Sequence, residues 1–272
     1  MNYRAIFTDI DGTLLNSSLE VSGDTAKMLR EGTERGTLLV LVSARSPSGI
    51  RPITERYRFR CAVIAYSGGL ALDENGKVLF QQAMSGRCAN RVLDCLDALN
   101  CTEPGMLTVN LFSGDDWRVR DRSDERVRSE EETVWTKARE CADLHAGDEE
   151  RIHKILCMCR PDRMDLAERT LRRNFPELSI ARSWSSLIEI MDGGVNKAGA
   201  LERLCRLRGI DMAQTVAFGD QMNDLEMLRA AGCGVAMGNA LEEVKKAADL
   251  VTLDHDRDGI ARALRKLRLQ EI

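Results

Sequence analysis

Two aspartates separated by a single residue follow the first apolar run of the chain. Residues 9–14 read Asp-Ile-Asp-Gly-Thr-Leu and come directly after a predicted strand at 3–8. In such a pair, Asp9 could attack phosphorus as a nucleophile while Asp11 protonates the leaving oxygen. Gly12 lets backbone amides approach a phosphate closely. Taken alone, the same residue types also form an ordinary turn after a strand, so the interpretation depends on what else accompanies them.

Carboxylates this close together need a cation. Without one, their like charges raise the pKa of one carboxyl group and weaken the nucleophile, so a hard ion such as Mg²⁺ is implied. A second acidic cluster, which contains Asp220, Asn223 and Asp224, follows another apolar run at 215–218. Because ligands bind at the carboxyl ends of parallel strands, we expect both clusters to face one ion.

Two further side chains have types that suit a phosphate. Ser43 ends an apolar run at 38–42, where its hydroxyl could donate to a phosphate oxygen, although a serine there is as often a cap or turn residue. Lys197 stands at the predicted start of a helix, where its ammonium could neutralise a phosphoryl group and steady Asp9, although a single lysine there is usually solvated. Four such elements in chain order, each beside a strand end or helix start, are harder to attribute to chance.

The elements that position these residues alternate between strand and helix. Apolar runs at 3–8, 37–42 and 61–65 are separated by helical patterns at about 22–35 and 46–57. This alternation predicts an α/β fold with a parallel, Rossmann-like sheet. Asn75 and Gly76 lie between two apolar runs, which is typical of a hairpin turn.

The pattern changes near residue 84, which indicates an inserted α/β module. There we predict a helix at 87–99, strands at 106–112 and 153–159, a helix at 162–174 and a strand at 178–181, with a polar stretch up to about residue 150. From residue 187 the first style returns, with strands near 187–190, 215–218, 233–236 and 249–252. We therefore expect a core of residues 1–83 and 186–272 and an inserted domain of residues 84–185.

Composition narrows the class of protein. The 39 basic and 43 acidic residues give a formal charge of −4, and the arginines are scattered, so nothing indicates a nucleic-acid partner. The nine cysteines contain no Cys-x-x-Cys pair, which favours reduced thiols in a cytoplasmic protein, with Cys157 and Cys159 on one buried face of a strand. The apolar runs are shorter than the about 20 residues of a membrane helix, and the N-terminus does not resemble a secretory signal.

Together these motifs resemble those of the haloacid dehalogenase (HAD) superfamily, specifically its Cof-type phosphatases with a large α/β cap of type IIB. The resemblance covers nearly the whole chain. The segment 9–13 corresponds to the family's first motif, Ser43 to the second, Lys197 to the third, and residues 219–224 to the fourth. Residues 235–240, 248–252 and 258–259 resemble the closing segment of the subgroup.

The resemblance implies a role for each of these residues. Asp9 would be the nucleophile and Asp11 the general acid and base. Mg²⁺ would be held by the Asp9 carboxylate, the Asp11 backbone carbonyl and Asp220, with Asp224 in direct contact with the metal or supporting it. The remaining residues would hold the transferring phosphoryl group, which needs positioning and charge compensation; they are Gly12, Ser43, Ala44, Lys197 and Asn223.

Two segments depart from the family pattern. The second motif usually reads Thr-Gly-Arg and here reads Ser-Ala-Arg at 43–45, which keeps the hydroxyl and should keep catalysis. The usual Asn-Gly-Ala after the third strand is Ser-Gly-Gly at 67–69. There a hydroxyl replaces an amide near the substrate entrance, which affects the expected substrate preference and not the chemistry.

The leading hypothesis is a Mg²⁺-dependent phosphomonoester hydrolase that acts on small phosphorylated metabolites such as sugar phosphates. Two alternatives stay open: a phosphosugar mutase of the same fold, in which a sugar hydroxyl accepts the phosphoryl group, and a non-catalytic sensor of a phosphorylated metabolite. A sensor would need neither a nucleophile nor an acid, which speaks against the last. We expect a monomer or homodimer with neither nucleic acid nor membrane as a partner.

Overall fold

A computed structural model describes residues 3–267, apart from the side chain of residue 184. Its strands are, in chain order, β1 (Ala5–Asp9), β2 (Leu38–Val42), β3 (Ala62–Ala65), β4 (Leu70–Leu72), β5 (Val78–Gln81), β6 (Met84–Ser85), β7 (Leu107–Ser113), β8 (Asp116–Val119), β9 (Arg139–Glu140), β10 (Arg151–Ile152), β11 (Lys154–Cys159), β12 (Ser179–Trp184), β13 (Leu187–Met191), β14 (Thr215–Gly219), β15 (Cys233–Ala236) and β16 (Leu250–Val251).

The α-helices lie between and after these strands. They are α1 (Gly23–Glu34), α2 (Pro47–Tyr57), α3 (Gly86–Thr102), α4 (Glu125–Val134), α5 (Met164–Asn174), α6 (Lys197–Arg208), α7 (Leu225–Ala230), α8 (Glu242–Ala247) and α9 (Gly259–Lys266). Among the described residues, no helix combines the length and the apolar character needed to cross a bilayer.

Two compact units divide the chain. The described residues of the first unit are 3–44, 50–81 and 196–267, and those of the second are 45–49 and 82–195. The α/β class with a parallel-containing sheet and an inserted α/β module is confirmed.

The first unit is built on an eight-stranded sheet in the order β16-β15-β14-β1-β2-β3-β4-β5. The first six of these strands pair in parallel, and β4 and β5 add an antiparallel hairpin. The predicted turn is confirmed, since Gly76 has a φ of +80° and Asp73 accepts hydrogen bonds from the backbone N–H groups of Asn75 and Lys77. Strand β1 is buried along its whole length, which suits the centre of a parallel sheet.

The second unit contains a six-stranded sheet in the order β12-β13-β11-β7-β8-β9 and a small pair of β10 with β6. Its apolar cluster includes buried side chains of α3 and α5, such as Leu93 and Leu171, packed with strand residues such as Ile155. Cys157 and Cys159 belong to this cluster, so their predicted place in the core is confirmed, and all nine cysteines are free thiols.

One strand lies in a different sheet from the one predicted. The sequence pattern assigns the strand near 187–190 to the core sheet, but β13 pairs with β11 and β12 in the second unit. The physical reason is packing, because Ile188 and Ile190 are fully buried in the apolar cluster of that unit. Periodicity identifies a strand but not the sheet that receives it. The polar stretch up to residue 150 also contains β8, α4 and β9, which the pattern did not predict.

Candidate active site

The order in which strands are added to the sheet changes sides at the central strand β1. From β1 the chain proceeds to β2 and β3 on one side, and it later returns through β14 and β15 on the other side. In open α/β sheets, such a switch leaves a crevice at the carboxyl ends of the strands, where ligands bind. Asp9 is the last residue of β1, and Asp220 follows the last residue of β14. The fold therefore brings the two predicted acidic clusters to one crevice.

Lys197 connects these clusters. Its helix, α6, begins after Asn196, whose side chain caps it by accepting a hydrogen bond from the Gly199 N–H at 2.8 Å. The Lys197 Nζ lies 2.6 Å from Asp9 Oδ1 and 2.6 Å from Asp224 Oδ1. The Lys197 side chain is only 1% exposed, so the solvated alternative for this lysine is wrong.

Asp224 is held in place through both of its carboxylate oxygens. Its Oδ1 accepts from Lys197, and its Oδ2 accepts from the backbone N–H groups of Asp220 and Gln221, each at 3.0 Å. Gly219 is required beside it, because a Cβ there would lie 2.4 Å from Asp224 Cβ. Asp224 therefore fixes the orientation of the lysine and of the loop that carries Asp220.

Asp220 is oriented by the loop that follows β1. Its Oδ1 accepts from the Thr13 hydroxyl at 2.8 Å, and its Oδ2 accepts from the Gln221 side chain at 2.8 Å. Gly12 has a φ of +80°, and a Cβ at this position would lie 2.7 Å from Asp220 Oδ2. Glycine is thus needed here for both its conformation and its size.

The charges around Lys197 do not balance. One carboxylate oxygen from each of Asp9, Asp220 and Asp224 lies within 4.8 Å of the other two, and all three residues are buried. Three carboxylates against one ammonium leave an excess of two negative charges. A divalent cation with a preference for oxygen ligands fits this donor set.

The pKa values follow from the same imbalance. Burial raises the pKa of Asp9 well above its usual value; the Lys197 ammonium opposes this shift, and the charges of Asp224 and Asp11 add to it. Burial likewise raises the pKa of Asp220, against hydrogen bonds from Thr13 and Gln221. Burial lowers the pKa of Lys197, but the nearby carboxylates outweigh burial and raise it. Lys197 is therefore a permanent cation in this site.

Ser43 follows β2 at the end of the sheet where Asp9 lies. Val42, the residue before it, is paired with Asp9 in the register of β1 with β2, and Ser43 is 1% exposed. Ala44, which follows, is partly exposed. The structure thus brings the second predicted motif to the same end of the sheet as the nucleophile.

The turn at 67–69 supports both Ser43 and the start of α6. Ser67 donates its backbone N–H to the Ser43 carbonyl at 2.8 Å. Gly68 has a φ of +118°, and a Cβ there would lie 2.4 Å from the Asn196 carbonyl oxygen. Ser67 itself has a φ of 53°, in the left-handed region that non-glycine residues rarely adopt. This turn therefore has a structural function at the site.

Two predicted site residues are exposed. Asp11 lies on the surface of the loop after β1, and Asn223 lies on the surface of the turn that precedes α7. Among the described residues, no hydrogen bond joins Asn223 to Asp9 or Lys197. The buried cluster thus consists of Asp9, Lys197, Asp220 and Asp224, with Gly12 packed against it.

Three residues that touch this cluster were not predicted as site residues: Thr13, Gln221 and Asn239. Thr13 and Gln221 donate to Asp220, and Asn239 donates to the Gly12 carbonyl at 2.8 Å. Two sequence signals could have identified Asn239: it follows β15 at the carboxyl end of the same sheet, and it lies in the segment 235–240 that resembles the closing segment of the subgroup.

Comparison with known proteins identifies the family. Residues 6–264 match the sequence profile of the haloacid dehalogenase-like hydrolases. The chain belongs to this family. A Haemophilus influenzae relative is 33% identical over 264 residues, which cover 96% of this chain and 97% of that protein. A Bacillus subtilis relative named 5-amino-6-(5-phospho-D-ribitylamino)uracil phosphatase is 29% identical, with 97% and 96% covered.

A solved structure agrees with this membership. A haloacid dehalogenase-like hydrolase from Bacteroides thetaiotaomicron superposes with a TM-score of 0.90 at 30% identity, and the match covers 98% of this chain and 100% of that one. The resemblance to Cof-type HAD phosphatases is confirmed, and the chain is a HAD-type phosphatase.

Proposed function

We propose that this HAD phosphatase is a Mg²⁺-dependent phosphomonoester hydrolase that works through an aspartyl-phosphate on Asp9. The observation that carries the proposal is the buried Asp9 carboxylate, held through one oxygen by Lys197 at 2.6 Å beside two further carboxylates. Among the described residues, no hydrogen bond reaches the other oxygen of Asp9. That oxygen is available for attack on phosphorus.

The proposed reaction has two steps. In the first, an Asp9 oxygen forms a bond to phosphorus as the bond to the leaving alkoxide breaks, and Asp11 gives that alkoxide its proton. In the second, Asp11 takes a proton from water, and the resulting hydroxide attacks phosphorus, which releases phosphate and restores Asp9. The exposed position of Asp11 suits a group that must reach both the leaving oxygen and water.

The residues present fit Mg²⁺. Asp9 and Asp220 would hold it, together with the Asp11 backbone carbonyl that the family resemblance implies. Both oxygens of Asp224 are engaged by Lys197 and by backbone N–H groups, which favours a supporting role for this residue over direct coordination. When bound, the ion would reduce the electrostatic repulsion between the negatively charged phosphoryl group and the carboxylates.

The phosphoryl oxygens would be held by Lys197, Ser43 and Asn223, and by the backbone at Gly12 and Ala44. Lys197 supplies the charge compensation that phosphoryl transfer requires. Ser43 follows Val42, the residue that pairs with the nucleophile in the sheet. The amide of Asn223 is exposed, and among the described residues no hydrogen bond holds it, so it could turn toward a substrate.

The substrate class proposed is a small phosphorylated metabolite such as a sugar phosphate. The name of the B. subtilis relative describes a phosphate ester of a ribityl chain, which has the same polyhydroxylated character. The motif residues would contact the phosphoryl group or the metal ion, and both are common to the reaction of every phosphomonoester. We therefore assign substrate selection to the second unit, which contains the insert predicted at 84–185. A cytoplasmic monomer or homodimer stays a prediction.

The test is release of inorganic phosphate from a panel of phosphorylated metabolites, first with Mg²⁺, then with excess chelator, then with Mg²⁺ or Ca²⁺ restored. We expect turnover with Mg²⁺, none with chelator, and poor recovery with Ca²⁺. Mg²⁺ keeps a tight octahedron at ~2.0 to 2.1 Å, whereas Ca²⁺ takes about 6 to 8 ligands at longer range. Full activity in excess chelator would contradict the proposal, and turnover that requires a second sugar as acceptor would indicate a mutase.

A further inference from the structure

Asn239 lies in a backbone turn that is tied to the loop of Asp220. The turn follows β15, and its Met237 N–H donates to the Gly219 carbonyl at 3.0 Å. The Leu241 N–H donates to the Asp220 carbonyl at 3.1 Å. The position of Asn239 relative to the second acidic cluster is thus set by the main chain on both sides of it.

The Asn239 amide reaches both acidic loops. Its Nδ2 donates to the Gly12 carbonyl at 2.8 Å and lies 3.5 Å from Asp220 Oδ2. Its Oδ1 accepts from the His255 backbone N–H at 3.2 Å, which fixes the orientation of the amide. One side chain therefore links the loop after β1, the loop after β14 and the C-terminal segment of the chain.

These contacts hold the Gly12 backbone next to the Asp220 carboxylate, which Thr13 and Gln221 also orient. Glycine has the widest backbone freedom of any residue type. The Gly12 carbonyl is held by Asn239, which keeps Gly12 in the conformation that leaves room for the Asp220 carboxylate. Residues that orient metal-binding carboxylates influence metal affinity although they do not touch the metal. We propose that Asn239 is a positioning residue for the Mg²⁺ site, an inference that rests on the proposed function.

The loop after β1 has a second tie to the C-terminal segment, which serves as a matched control. Ser17 donates its backbone N–H to Asp256 Oδ1 at 2.8 Å and its hydroxyl to Asp256 Oδ2 at 2.7 Å. No hydrogen bond of Ser17 involves Gly12 or Asp220. The Ser17 hydroxyl also lies 3.1 Å from His255 Nε2. Ser17→Ala thus weakens the anchoring of this loop to the C-terminal segment and removes no hydrogen bond that the Asn239 side chain itself makes.

The experiment compares Asn239→Ala, Asn239→Leu and Ser17→Ala with the natural chain. Mg²⁺ affinity is measured by calorimetry in the absence of substrate, and kcat is measured over a range of Mg²⁺ concentrations. Asn239 is exposed, so its truncation leaves no buried cavity, and the leucine variant retains the bulk without any hydrogen bond. For both Asn239 variants we expect Mg²⁺ binding weaker by about 10- to 100-fold, with kcat largely recovered at saturating Mg²⁺. For Ser17→Ala we expect a change of about twofold or less, because no metal-site contact is lost.

Unchanged Mg²⁺ affinity in a folded Asn239 variant would overturn the inference, and so would an equal loss in Ser17→Ala. Thermal unfolding checks the fold, and the leucine variant carries the test if the alanine variant does not unfold cooperatively. Failure of both to fold would also overturn the inference, because it would give Asn239 a structural role. If the natural chain itself neither bound Mg²⁺ nor released phosphate, the proposed function would fail instead.

Discussion

The Lys197 ammonium donates to the Asp224 carboxylate at 2.6 Å although neither side chain is more than 1% exposed. The same ammonium serves Asp9, so removing it would leave two buried carboxylates without their cation. Breaking a buried pair by removing one partner typically costs about 3 to 5 kcal/mol, since the remaining charge stays desolvated.

For Lys197→Met we therefore expect a loss of roughly 3 kcal/mol or more in the free energy of unfolding and at least a ~100-fold fall in kcat. Urea unfolding without Mg²⁺ and phosphate release with Mg²⁺ measure the two effects. Lys245→Met is the control, because Lys245 pairs with the exposed Glu242 and its loss should change little. Equal behaviour of the two variants would show that Lys197 is not essential to the site.

Asp9→Asn tests the role of Asp9 as nucleophile without disturbing the fold of the site. An amide has nearly the shape of a carboxylate and its oxygen can still accept from Lys197, so the fold should persist. Because burial disfavours the Asp9 charge, stability without Mg²⁺ should stay equal or increase. Phosphate release should fall by about 1,000-fold or more, as is usual when a covalent nucleophile is removed.

Asp220→Asn is the comparison for this prediction, since it should act through weaker Mg²⁺ binding and not through loss of the nucleophile. Calorimetric titration with Mg²⁺ distinguishes the two variants. A fall in activity of only ~10-fold in Asp9→Asn would assign the nucleophile elsewhere.

Gly12→Ala should reduce activity by more than its effect on stability explains. The new Cβ would lie 2.7 Å from Asp220 Oδ2, and the residue would keep an unfavourable φ of +80°. Gly76 has the same φ of +80° with nothing within 4 Å of a Cβ, so Gly76→Ala isolates the backbone strain of about 1 to 2 kcal/mol. We expect Gly76→Ala to keep its turnover and Gly12→Ala to lose at least ~10-fold. The kcat of each variant is measured under conditions where the same fraction of the protein is folded. Equal kcat values for Gly12→Ala and Gly76→Ala would contradict the prediction.

The sequence identifies the site residues at the strand ends, but not the hydrogen bonds that connect the loops after those strands. Asp9, Asp220 and Lys197 could be identified because each stands at the end of an apolar run or the start of a helix, positions that topology brings together. The hydrogen bonds of Asn239 could not, because they depend on how a turn after β15 folds back onto Gly12, more than 200 residues earlier in the chain. Strand β13 was assigned to the wrong sheet for a similar reason, since its partners are chosen by the packing of Ile188 and Ile190.

The second unit should lose stability below neutral pH through His153. Burial lowers the pKa of this imidazole to about 4, and its Nδ1 accepts from the Gly114 backbone N–H at 3.1 Å, which requires the unprotonated nitrogen. In the unfolded chain the pKa is about 6.5, so the unfolded state binds the proton first as the pH falls. The stabilising effect is therefore complete above about pH 6.5 and is lost progressively toward about pH 4.

As the pH falls from about 7.5 to about 5, the free energy of unfolding should decrease less in His153→Gln than in the natural chain. The difference between the two decreases should be roughly 1 to 2 kcal/mol. All three tryptophans lie in the second unit, so urea unfolding followed by tryptophan fluorescence reports on that unit. His145→Gln should act in the opposite direction, because hydrogen bonds to Asp143 and Asp94 raise the pKa of His145 and favour the folded state at low pH. An unchanged pH dependence in His153→Gln would mean that other groups set the acid sensitivity of this unit.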